Sequence, residues 1–309
     1  MLRSLRTRLR THYRRLEREG IVPVLRDDLR RGRLGLRRFL WRIAHDYSPN
    51  AIPVYVVGIQ RSGTDMLVEA FERTPEAEIY NESRSSKAFF RFALRSDEVI
   101  ASLVESSRHR CIVFKPLCDS HRVVHLMEGL GTPSRGRSIW IYREVEARVR
   151  SVLAHWPEGT RQVIRDIAEG RDVWEAGGLS QERLEFVRSI DHTRLTRPSE
   201  AALLWYLRNE LFFDLGLDER DDVALVSYER FVTDPQRFMK LLVGLAGVSF
   251  RPSMVESVGR RPPPVSGTIE IDPAIRELCD DLQRRLDAEF ERRLAVGVLT
   301  CPDSASTSV

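Results

Sequence analysis

Lysine is scarce: only three of the 49 basic side chains are lysine, at positions 87, 115 and 240, and the rest are arginine. The bland source of such a bias is an arginine-rich genome; its useful consequence is that each lysine stands out. Cysteine is scarce too. Cys111, Cys118, Cys279 and Cys301 form no C-x-x-C pair, and no histidine cluster completes a set of ligands, which argues against a structural metal. Cys111 and Cys118 flank an apolar, strand-like run, as reduced buried thiols in a cytoplasmic protein would. No apolar run approaches the roughly 18 residues of a membrane span. The N-terminus is basic but lacks the apolar core of a secretory signal.

What is present is a globular composition. The 309 residues are 42% apolar, enough for a sizeable core, with a formal net charge of +4. Leu2, Leu5, Leu9, Tyr13 and Leu16 repeat at helical spacing, with Arg3, Arg6, Arg8, Arg10, Arg14 and Arg15 as the polar face. Residues 1–50 therefore read as a basic amphipathic helical segment. Such a helix either packs on its own domain or a partner, or lies on an anionic membrane surface through residues 1–46. No aromatic platform accompanies the charge, so nucleic acid is not an expected partner.

From Pro53 the pattern changes. PVYVVG, CIVFKPL (111–117), SIWIYR (138–143) and VALVSY (223–228) are short apolar runs. Helical patterns cover 63–73, follow 143 as far as Ala154, and follow 228 as far as Leu245. Apolar strands alternating with helices predict an α/β fold with a central parallel sheet covered on both faces. Residues 156–198 are charged and less regular. GRRPPPVSG (259–267) reads as a loop, Ile271 to Leu294 as a final helix, and 297–309 as a disordered tail.

The chemistry-bearing stretch is VYVVGIQRSGTDML, residues 54–67. Gly58 and Gly63 have the spacing of the phosphate loop G-x-x-x-x-G-K-[ST]. Thr64 stands where the lysine belongs and Asp65 where the magnesium-binding hydroxyl belongs. A glycine-bracketed turn between strand and helix still presents N–H groups and a helix N-terminus to an anion. The substitutions argue against a kinase or NTPase. They leave a site for a single 5′-phosphate group, with Arg61 as its cation and Thr64 as a hydroxyl donor.

GIQRSGTDML resembles the 5′-phosphosulfate loop of the sulfotransferases that use 3′-phosphoadenosine-5′-phosphosulfate (PAPS). SIWIYREVEARVRS adds Arg143 and Ser151 at the spacing with which that family grips the 3′-phosphate, and Trp205, Asn209 and YERFVTDP (228–235) follow a third, looser pattern. The resemblance covers about residues 53–250. It implies a P-loop-like three-layer fold over 51–296, with PAPS as co-substrate and no metal. It implies a sulfate ester and adenosine 3′,5′-bisphosphate (PAP) as products.

The histidine base of the small-molecule branch is missing, because Leu117 stands two residues after Lys115. The carbohydrate-type branch is similar in another way: RSGTDMLVEAFERTPEAEIYNE ends in Glu82, a carboxylate base candidate, with His121 and His125 as rivals. The resemblance thus implies Glu82, Lys115 and Arg61 as catalytic residues. Donor contacts fall to Gly58, Gln60, Arg61, Ser62, Gly63, Thr64, Asp65, Arg143, Ser151, Tyr228 and Arg260, with Arg261 beside the last. The sequence departs from the family at Asp65 and at EVEA after Arg143. The acceptor would be a hydroxyl-bearing small molecule, glycan or glycolipid, and Arg84, Lys87 and Arg91 favour a polar or anionic one. A P-loop kinase or NTPase and a catalytically inactive nucleotide-binding protein are the alternative readings.

Overall fold

The structure is a computed structural model describing residues 51–156, 158–258 and 269–296, with scattered positions between 32 and 43. The chain divides into two units, Met1–Tyr47 and Ser48–Val309. In the first, the described positions are helical; the amphipathic pattern from Leu2 to Leu16 lies outside the described residues. So do Arg260, Arg261, the triple-proline loop and the tail from 297.

The second unit is built on a five-stranded, wholly parallel sheet: β1 (Ile52–Gly58), β2 (Ala77–Asn81), β5 (Cys111–Lys115), β6 (Arg137–Tyr142) and β7 (Val223–Ser227). The order is β2-β5-β1-β6-β7. β1, β5 and β7 are almost continuously buried, as Val- and Ile-rich strands covered on both faces must be. A separate two-stranded hairpin, β3 (Phe89–Phe90) and β4 (Ala93–Leu94), follows β2.

Helices flank the sheet. α1 (Thr64–Glu72) returns the chain to β2, and α2 (Asp97–Ser106) precedes β5. α3 (Val123–Glu128) precedes β6, and α4 (Val145–His155) follows it. Next come α5 (Gly159–Ala168), α6 (Gln181–Ser189) and the long α7 (Arg197–Asp214). The charged segment 156–198 is thus more regular than its composition suggests. After β7 the expected single helix is two, α8 (Tyr228–Thr233) and α9 (Pro235–Ala246). Asp234 is disfavoured in helical geometry by the proline after it, and its side chain accepts from the Arg237 N–H to cap the new helix.

α10 (Pro273–Val296) closes the unit. Its fully buried Arg293 donates to the carbonyls of Leu217, Asp218, Arg220 and Val223, satisfying backbone acceptors at the entry to β7. The chain leaves β1 towards β2 and β5 on one side and later crosses to β6 and β7 on the other. The crevice at such a reversal, outside the carboxyl ends of the strands, is where open α/β sheets bind ligands.

Candidate active site at the carboxyl edge of the sheet

Gly58 ends β1 at φ +131, and a Cβ there would sit 2.5 Å from the Ile141 carbonyl oxygen. Only glycine lets β1 run this close to β6. Gly63 has φ +103, and a Cβ would meet the Tyr228 ring at 2.5 Å. Between them Arg61 is held at φ 71, in the left-handed region, which curls the loop. Thr64 opens α1, so the first N–H groups of that helix lack intrahelical acceptors and face the turn. The Ser62 hydroxyl is fully buried with no hydrogen-bond partner among the described residues.

Arg61 joins the loop to α4. Its Nε donates to Ser151 Oγ at 2.9 Å, and its guanidinium lies 5.9 Å from the Trp156 ring centroid. Its carbonyl accepts from Arg143 Nη1 at 3.3 Å. Arg143 follows β6 and stacks on the Tyr228 ring, 4.6 Å from its centroid. That same ring covers Gly63, so Tyr228 packs between loop and arginine. The Arg143 Nε has no hydrogen bond and pairs loosely with Glu229 at 3.7 Å. Trp205 Nε1 donates to the Arg143 carbonyl at 2.8 Å and fixes its backbone. Asn209 is structural, bridging the Trp205 carbonyl and the Trp140 ring N–H.

On the other side of the loop, Lys115 ends β5 with its side chain 4% exposed. Its Nζ lies 2.5 Å from Asp65 Oδ1 and 3.1 Å from Glu82 Oε1. Glu82 follows β2. Burial raises its carboxyl above the ordinary glutamate value, Lys115 opposes that, and the nearby Asp65 charge adds to it. Asp65, standing where nucleotide loops carry a hydroxyl, is therefore engaged with a lysine from the neighbouring strand. The site has two ends: Lys115, Glu82 and Asp65 at one, Arg143, Ser151 and the Arg61 guanidinium at the other.

The histidine rivals lie elsewhere. His125 Nε2 meets Asp97 Oδ2 at 2.6 Å. His121 lodges against Gly177 and Gly178, and burial lowers its pKa. Cys118 is half-buried, and burial pushes its thiol up to about 12. Among the described residues no group of His, Cys, Asp and Glu has the arrangement of a metal site, and no helix is long and apolar enough to cross a membrane.

Sequence reasoning missed Arg148. It lies on the buried face of α4 with Val145, Val149 and Val152, donating to the carbonyls of Gln60 (3.3 Å) and Ala201 (2.8 Å). Burial and then the charge of Arg61 push its guanidinium down to about 9. No carboxylate among the described residues pairs with it, so the loop has a buried, uncompensated cation behind it. An arginine within the i, i+3, i+4, i+7 apolar stripe of α4 was the available signal. Ser120 was missed as well; its hydroxyl donates to the Gly58 carbonyl at 3.3 Å. A cavity of about 190 Å³ opens beside the loop, lined by Gln60, Arg148, Trp156, Thr160, Glu175 and Leu204 among others.

No protein-family model matches the sequence, and no curated protein does. Solved structures similar to this chain include a sulfotransferase from Alicyclobacillus acidocaldarius, at 15% identity and TM-score 0.42, covering 78% of this chain and 95% of that one. The sulfotransferase domain of the Synechococcus PCC 7002 olefin synthase is similar at 14% identity and TM-score 0.42, covering 81% and 98%. Mouse sulfotransferase SULT7A1, complexed with PAP, is similar at 14% identity and TM-score 0.40, covering 85% and 91%.

Proposed function

We propose that this protein is a sulfotransferase that takes its sulfuryl group from PAPS and passes it to an acceptor hydroxyl. The observation that carries the reading is the place of Arg61: one residue of the anion loop touches both Arg143, through its carbonyl, and Ser151, through its side chain. The loop and the arginine–serine pair, recognised separately in the sequence, share one crevice.

The residues suit a ligand with an anion at each end. The unpartnered Ser62 hydroxyl, the N–H groups at the start of α1 and the two tight glycines form a cradle for one. The Arg143 guanidinium, with its Nε unbonded, and the Ser151 hydroxyl offer donors for the other. Arg148 supplies buried positive charge behind the loop. When bound, PAPS supplies an activated sulfuryl group, and the products are a sulfate ester and PAP.

Glu82 is the base that takes the acceptor's proton. Its raised pKa brings a carboxylate closer to neutrality, where a base that must also release its proton works best. Lys115, 3.1 Å from Glu82, is the fixed positive charge at the reacting end. Asp65 holds the Lys115 ammonium in the absence of a donor, so the lysine stays in place until a stronger anion competes for it. Thr64 and Asp65 leave the loop without the lysine and hydroxyl that serve a nucleoside triphosphate and its magnesium.

Calorimetric titration with PAP, and separately with ATP plus magnesium, tests the proposal. Micromolar PAP binding with weak ATP binding is expected; tight ATP binding without PAP binding overturns it.

A further inference from the structure

The hairpin that follows Glu82 carries cations and aromatic rings that the donor chemistry does not use. β3 and β4 join through Arg91 and Phe92, which have φ 50 and φ 72. Two positive φ angles in a two-residue hairpin loop are the pattern that normally selects Asn-Gly. Here the positions hold two bulky side chains, both exposed. Phe90 is 53% exposed and Phe92 45% exposed. The guanidinium carbons of Arg91 and Arg95 lie 5.4 and 5.8 Å from the Phe90 ring centroid.

Charge is the second observation. Most arginines of the core unit are paired with carboxylates. Arg84, Lys87, Arg91 and Arg95 have no carboxylate within ion-pair distance among the described residues. Two of them, Lys87 and Arg95, line an open groove of about 640 Å³ together with Ser86, Glu98, Val99, Ser102 and Leu103. That size falls within the roughly 300–1,000 Å³ of ligand sites, and Glu98 is its one acid.

Position is the third. The Arg91 N–H donates to the Arg84 carbonyl at 2.8 Å and the Phe92 N–H to the Ser83 carbonyl at 3.0 Å. The strained tip is thus bonded to the two residues directly after Glu82. An acceptor with its hydroxyl at Glu82 therefore has the hairpin as a close chain neighbour.

We infer that the hairpin and groove dock an anionic saccharide chain, one bearing carboxylate or sulfate groups, and that this chain presents the hydroxyl to Glu82. The inference rests on the sulfotransferase reading and names its acceptor class. The ring faces of Phe90 and Phe92 suit the C–H faces of sugar rings, the four cations match the acidic groups, and the groove hydroxyls match sugar hydroxyls. A lipid surface fits less well, because the segment sets four cations without carboxylate partners among the described residues against only two exposed aromatic rings.

The test compares binding of a heparin-derived octasaccharide with that of neutral maltooctaose at about 0.15 M salt, where exposed charges are screened beyond about 8 Å. The full chain is used, with anionic phosphatidylserine vesicles as a third probe and PAP as a fourth. The acidic octasaccharide is expected to bind at least tenfold more tightly than maltooctaose. Lys87→Glu with Arg91→Glu is expected to remove about tenfold or more of that affinity, while Lys240→Glu, far along the sequence on α9, leaves it unchanged.

Phe92→Gly separates folding from binding. Glycine relieves the φ 72 position, so this variant should melt no lower than wild type yet bind the octasaccharide about three- to tenfold more weakly. PAP affinity should be unchanged in all of these variants. Equal binding of acidic and neutral saccharides, or full affinity in the charge-reversed variant, overturns the inference. So does vesicle binding that depends on the hairpin while the octasaccharide is ignored. If wild type fails to bind PAP, the donor reading falls, and the saccharide arm still reports on the hairpin separately.

Discussion

Arg61 Nε donates to Ser151 Oγ across 2.9 Å, tying a loop that follows β1 to a helix that follows β6. The two residues are 90 positions apart, and they meet because β1 and β6 are neighbours at the point where the sheet's winding reverses. The Arg61 guanidinium is thereby held against the Ser151 hydroxyl.

The loop depends on backbone room at Gly58. With φ +131 and a Cβ 2.5 Å from the Ile141 carbonyl, Gly58→Ala must either part β1 from β6 or distort the turn. We expect it to destabilise the protein by about 2–4 kcal/mol, measured by urea unfolding. The same alanine at Gly131, which has positive φ but nothing within 4 Å, should cost less, because only the conformational penalty applies.

Glu82→Gln should lower the turnover rate about 10²–10⁴-fold. Wild-type activity should rise with pH through the Glu82 pKa, and this acid limb should lie above the ordinary glutamate range, because burial raises it. Stability carries the matching sign. A carboxyl whose folded pKa is raised stabilises the fold fully below its unfolded pKa, and loses that contribution as pH rises through the folded pKa. The Tm advantage of Glu82→Gln over wild type should therefore be small in acid and grow towards neutrality.

Asp65 and Lys115 push Glu82 in opposite directions, so their variants should move the limb oppositely. Asp65→Asn removes a negative neighbour and should shift it to lower pH. Lys115→Met removes the positive neighbour at 3.1 Å, should shift it to higher pH, and should cost about 10²–10³ in rate. A pH–rate profile of each variant reads both.

Arg148→Met should weaken PAP binding at least about tenfold, while Tm moves by only a few degrees. The guanidinium is buried without a carboxylate, so the relief of removing an uncompensated charge offsets part of the loss of the donor to the Gln60 and Ala201 carbonyls. Titration calorimetry and thermal melts on the same samples separate the two effects.

Much of this site was legible in the sequence because its signals are local. The loop announces itself by two glycines at fixed spacing between an apolar strand and a helix. Arg143 and Ser151 lie eight residues apart at the end of one strand and on the next helix. Lys115 stood out because lysine is rare. Glu82 was reached only through resemblance, since β2 is a partly exposed strand (AEIYN) with a weak apolar run.

What escaped the sequence was tertiary. The Asp65–Lys115 pair joins residues 50 positions apart through strand order. Tyr228, expected among the donor contacts, packs on Gly63 and Arg143, because β7 brings α8 up beside the loop. Arg148 was overlooked because a charged residue within an arginine-rich helix reads as surface. The helix α5 was overlooked because Thr160, Ile164 and Ile167, its buried positions, are diluted by charge.

On the proposed function, one donor carries an anion into each of two grips, the glycine loop and the Arg143–Ser151 pair. Phosphorus NMR of bound PAP tests it most directly, because the 5′ and 3′ phosphates give separate resonances. Thr64→Val should perturb chiefly the 5′ resonance and Ser151→Ala chiefly the 3′ resonance. Both substitutions disturbing chiefly the same resonance, or bound PAP indifferent to either, would show that the two grips do not hold opposite ends of one donor.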